Sequence, residues 1–153
     1  MALLLAYACA PKTESSVPLS ESDRLPETRP ADFVLTSHVD GGMSSHRSDL
    51  FISKDSCYLK DDNRGVVTLK KFTLTQYALD SLYVVLKENK FDEIQSTLDT
   101  LTLDRGGVEV SVSWDQGQRG VTADDAGQMF VNDKWAKQWG AVLRYLDTLV
   151  PAK

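Results

Sequence analysis

The chain has 153 residues, of which 42% are hydrophobic and 25% charged, with a net charge of −5. That length fits one domain able to bury a core of its own without a metal or disulfide staple. The acidic balance argues against a nucleic-acid partner, because phosphate neutralisation needs clustered Lys and Arg and the nearest cluster is the pair Lys70-Lys71.

In chain order, residues 1–9 come first. Leu3-Leu4-Leu5-Ala6-Tyr7-Ala8 is an apolar run ending at Cys9, far shorter than the roughly 20 residues that span a bilayer. Small residues followed by a cysteine resemble the end of a bacterial lipoprotein signal, with Ala8 and Cys9 matching the pattern. The resemblance implies lipid attachment at Cys9 and, through it, a membrane partner in the bacterial envelope. Ala6 stands where the family prefers leucine, and no basic residue precedes the run. A true start upstream of Met1 accounts for both departures. The alternative is a plain apolar N-terminus, unprocessed at Cys9, on a cytoplasmic protein.

Residues 10–30 hold four of the five prolines, at 11, 18, 26 and 30, among many Ser, Thr and Glu. Such a stretch buries too little surface to offset its ordering entropy, and it reads as a disordered tether.

The remainder, 31–153, reads as a single domain. Residues 32–39 alternate as a first strand, with Phe33 and Leu35 on one face and Val34, Thr36 and His38 on the other. After a polar loop through Ser48, strands 50–53 and 57–60 form a hairpin about Lys54-Asp55-Ser56. A turn over Asp61–Gly65 leads to 66–69, either a further strand of the meander or a lead into a helix. Thr73-Leu74-Thr75-Gln76 has the pattern of a capping box, placing a helix start near Leu74. Leu74, Ala78, Leu82 and Val85 make its apolar face, and Asn89 is its left-handed end. A polar stretch from Gln95 to Thr100 carries the chain back.

Val108, Val110, Val112 and Trp114 then alternate strictly with Glu and Ser, the strongest strand signal in the sequence. Asp115–Gln118 turns the chain into a return strand over 119–122, and a further turn at Asp124–Gly127 precedes Met129-Phe130-Val131. A last helix from Asn132 or Asp133 lines Trp135, Trp139, Val142, Leu146 and Leu149 along one stripe. The order of meander, helix, hairpin and helix predicts an α+β fold: a mostly antiparallel sheet with two helices packed on one face.

Few residues suggest chemistry. His38 and His46 stand in no zinc spacing, and joint metal binding would need the first hairpin to bring them together. Cys57, with no CxxC neighbour, fits a small buried apolar residue better than a reactive thiol. The acidic turns at 61–65 and 124–127 lack the alternating ligands of a calcium loop. No motif implies a cofactor, a catalytic set or a metal site.

Asp104-Arg105-Gly106-Gly107 joins both charge signs to two glycines ahead of the best strand. It fits either a partner-binding corner or a bulged strand entry with a surface Asp–Arg pair.

The whole resembles the small bacterial envelope lipoproteins that join a lipidated cysteine to a compact α+β domain. The capped helix reaching Phe91, followed by a strand hairpin and a terminal helix, also resembles emfourin-like protease inhibitors. No inhibitory residue carries over, and that resemblance ranks binding above catalysis. The expected function is a membrane-tethered, non-enzymatic binding domain with an envelope protein partner, as inhibitor or assembly factor. A small hydrolase using His38, His46 or Cys57, or a structural spacer, are the alternatives.

Overall fold

A computed structural model describes residues 24–102 and 105–150. The strands are β1 (Val34–Asp40), β2 (His46–Ser53), β3 (Cys57–Asn63), β4 (Val66–Phe72), β5 (Ser96–Leu98), β6 (Gly107–Trp114), β7 (Arg119–Asp125) and β8 (Met129–Val131). The helices are α1 (Gln76–Glu88) and α2 (Ala136–Leu149). Six strands form one sheet in the order β4-β3-β2-β1-β6-β7, antiparallel throughout, and β5 pairs with β8 separately.

The register explains why one face alone is core. Leu35 stands opposite Ile52 and Val112, Ile52 opposite Cys57, and Val112 opposite Val121. Side chains alternate along a strand, so Phe33, Leu35, Leu50, Ile52, Cys57, Val110, Val112 and Trp114 share one side, and all are buried. Leu79, Leu82 and Leu86 of α1 and Trp139, Val142 and Leu146 of α2 complete the same cluster. The sheet is therefore covered by helices on one side, as the α+β reading expects.

Several boundaries differ from the sequence expectation for local reasons. The meander continues, since 66–72 is the fourth strand. Its turn needs only Arg64 and Gly65, both at positive φ, so Asp61 to Asn63 join the ladder. The cap of α1 is Thr75, whose Oγ1 accepts from Ala78 N–H at 3.1 Å, two residues beyond the expected Thr73. Leu74 then lies outside the helix, and the buried stripe rotates to Leu79, Leu82, Tyr83 and Leu86. At the other end Lys90, not Asn89, takes the left-handed conformation, at φ 50°.

Residues 24–30, which composition assigns to the tether, lie against the domain. Leu25 is buried, its N–H donates to Asp92 Oδ2 at 2.9 Å, and its carbonyl accepts from Lys87 Nζ. Tyr83 Oη donates to the carbonyl of Pro26 at 2.7 Å, and Arg29 pairs with Asp80 at 2.9 Å. This strap lies along α1 and leads into Phe33, whose ring meets Tyr83 edge to face.

Candidate functional site

Among the described residues the face of the sheet turned away from the helices is open, and the ladder arranges its side chains in rows. One row runs Lys71, Tyr58, Phe51, Thr36, Ser111 and Thr122 across five strand junctions. Phe51 and Tyr58 face each other across the β2–β3 hairpin and stack, with centroids 5.2 Å apart and planes 7° from parallel. Both are half-buried. Ser111 and Thr122 share a hydroxyl hydrogen bond of 2.7 Å farther along.

The next row places His38 between Asp49 and Glu109. His38 Nδ1 lies 2.6 Å from Asp49 Oδ1, and Lys60 Nζ approaches the other Asp49 oxygen at 4.0 Å. The result is a flat surface of two stacked rings beside alternating charge, held by backbone ladders.

His46 is not brought to His38. It lies an odd number of residues from Asp49 along β2 and so points to the opposite side, where Nε2 meets Asp61 Oδ1 at 2.7 Å. Each histidine thus has its own carboxylate, and among the described residues no group of three or more His, Cys, Asp or Glu could hold a metal ion. Cys57 lies on the buried face with Sγ 3.6 Å from the Ser53 carbonyl, which sets it apart from the His38–Asp49 pair. That pair has the spacing of a base and its orienting carboxylate, but both members are about half exposed.

Arg105, just before β6, is turned inward. Arg105 Nη2 donates to Asp125 Oδ1 at 3.1 Å and to the Met129 carbonyl, and the guanidinium lies 4.0 Å over the Phe130 ring. Arg105 thus has a carboxylate partner in Asp125, across the β6–β7 hairpin. The glycines admit backbone: a Cβ on Gly107 would come within 1.9 Å of the Asp125 carbonyl, and one on Gly106 within 2.7 Å of the Asp40 carbonyl. Arg105, Gly106 and Gly107 therefore clamp the start of β6 to β1 and to the end of β7. Asp104 and Cys9 lie outside the described residues.

A cavity of about 180 Å³ opens between Leu50, Leu59 and Val108 on the sheet and Leu143, Leu146 and Asp147 near the end of α2. One titration is strongly displaced: burial, followed by the nearby charges of Asp92 and Glu27, pushes the Tyr83 phenol up to about 12. That group secures the strap and lies away from the open face.

The rings at Phe51 and Tyr58 carry no motif, yet hairpin arithmetic could have found them. A tight turn at Lys54-Asp55 puts residues 52 and 57 opposite each other, and 51 opposite 58. The Arg105–Asp125 pair had no such signal. No protein-family model and no curated protein matches the chain.

Proposed function

We propose that this chain is a non-enzymatic binding domain of the bacterial envelope, held at a membrane by a lipid on Cys9 and meeting a protein partner through the open sheet face. The binding half of this reading rests on the Phe51–Tyr58 stack. Two aromatic rings kept half-exposed on a flat, hydrogen-bonded surface, with Lys60, Asp49 and Lys71 around them, combine an apolar anchor with a polar rim, as protein interfaces do. Gly107, beside Asp40 in the ladder, stands at the border of the same face. In this reading the segment from Asp104 to Gly107 takes part in the contact, and Arg105 braces the start of β6 from within. An inhibitor or an assembly factor would both use such a surface.

The membrane half rests on Ala8-Cys9 and the proline-rich segment that follows. Two measurements test the whole. Mass spectrometry of protein made in a bacterial host from its own upstream region should show a diacylglyceryl increment at Cys9, lost together with detergent partitioning in Cys9→Ala. A photocrosslinker at Thr36 on the open face should give one discrete adduct in envelope extracts, absent when the probe sits at Val84 on α1 and lost on Phe51→Ala. An unmodified Cys9 would remove the membrane from the reading. The same adducts from Thr36 and Val84, or none from either, would remove the partner face.

A further inference from the structure

The edges of the large sheet are finished differently. Beside β7, the Ser96 hydroxyl accepts from Asp124 N–H at 3.1 Å, and the N–H of Val131 donates to Asp125 Oδ1 at 3.2 Å, so β5 and β8 occupy that side. At the other end β4 is terminal among the described residues. It is regular over seven residues, contains no proline, and exposes Val66, Val67 and Leu69 at 67%, 55% and 56%. A long apolar edge of this kind is a template for another strand.

The hairpin turn fixes which peptide groups are offered. Arg64 and Gly65 have φ of 55° and 85°, a two-residue turn of the type that leaves its flanking residues, Asn63 and Val66, exchanging both backbone hydrogen bonds. Bonded and non-bonded pairs alternate along an antiparallel ladder. Thr68, Lys70 and Phe72 therefore bond to β3, while Val67, Leu69 and Lys71 turn their N–H and C=O groups outward.

We propose that β4 pairs antiparallel with β4 of a second copy of this chain, about a two-fold axis at Leu69. This register sets Leu69 against its counterpart, Val67 against Lys71 and Lys71 against Val67, so every outward N–H and C=O of those residues is matched. It also answers the charge on the strand. Val67 stands opposite Asp62 in its own β3, so Lys71 of each copy lies on the same face as the other copy's Asp62, two strand spacings or about 10 Å away. Asp62 Oδ1 accepts from Gly65 N–H at 2.9 Å within its own turn, so it is the second carboxylate oxygen that an extended Lys71 side chain reaches across that span. On the reverse face Val66 meets Phe72 of the second copy. A parallel in-register pairing would instead stack Lys71 on Lys71, which is repulsive. The contact is isologous and closes on itself, so it yields dimers and not fibres.

This dimer shares Lys71 with the rim of the open face but leaves Phe51 and Tyr58 uncovered, and it stands or falls without a partner there. Sedimentation velocity of the full chain across about 10 µM to 1 mM should show a monomer–dimer equilibrium, in the range expected of a small interface. Leu69→Pro removes an N–H that points away from β3, a substitution edge strands accept, and should abolish the dimer. Lys71→Glu should weaken it at least tenfold, and adding Asp62→Lys to Lys71→Glu should restore it. Circular dichroism of each variant shows whether it is folded, and the charge swap remains decisive if the proline variant is not. A wild-type chain that stays monomeric at the highest concentration overturns the proposal. So does a dimer indifferent to Lys71→Glu.

Discussion

At the centre of the sheet, β1 has a neighbour on both sides and a helix layer over one face, and Leu35 within it is wholly buried. Three strands away, β4 has one neighbour among the described residues and buries none of its own. The two strands have similar lengths and are similarly apolar, yet only the first is built on its own side chains. The central strand is specified by what packs on it, whereas β4 is held by its ladder to β3 and the tight turn at Arg64-Gly65. Apolar character in a strand therefore means burial only where a covering element arrives, and of β4 the core takes in Phe72 alone, and that only in part.

Substitutions can break this contrast. Phe33→Ala, in a ring site that is 1% exposed, should destabilise the domain by about 3–5 kcal/mol in urea or thermal unfolding, since the cavity cannot be refilled by its packed neighbours. Arg105→Ala should cost about 2 kcal/mol through loss of the charge-assisted bond to Asp125, which would place the β6 clamp with the centre and not with the edge. Tyr83→Phe should cost about 1 kcal/mol by releasing the Pro26 carbonyl.

The tyrosine also has a pH signature. Its folded-state value of about 12 lies above the ordinary 10, so the unfolded chain loses this proton first as the pH rises. The stabilisation is complete below pH 10 and lost as the pH climbs through 12. The wild-type chain should weaken in that window more steeply than Tyr83→Phe. At the far end of the scale, Leu69→Thr should change the unfolding free energy of the dilute monomer by no more than about 0.5 kcal/mol. A loss comparable to that at Phe33 would show that the edge contributes to the fold after all.

Much of the centre was legible because its signals are local and periodic. Alternation through Val108 to Trp114 and the stripe of Trp139, Val142 and Leu146 each describe a buried face within a few residues. The stacked rings were half-legible: the turn that pairs Phe51 with Tyr58 can be read, but which sheet face stays open depends on where the helices settle. Least legible were the contacts made across long stretches of chain. Arg105 takes a carboxylate partner, Asp125, 20 residues away. Composition alone gave Leu25 and Pro26 no reason to dock on α1, because the partners that hold them, Tyr83, Lys87 and Asp92, lie roughly sixty residues downstream. The helix start shifted for a smaller reason: Thr73 and Thr75 are both competent caps, and it is the Thr75 hydroxyl that meets the Ala78 N–H.

The strap has a mechanical consequence. A pull on the chain from its N-terminal side reaches Leu25, the Pro26 carbonyl and Arg29 before it reaches β1, and all three are fastened to α1 or to the turn at Phe91–Glu93. Load is thus delivered to the helical layer and spread through Phe33 into the core, so tension does not peel the central strand from its two neighbours. A domain held on a leash, tugged by thermal motion or by a partner on its open face, would lose its clasp first and its sheet last.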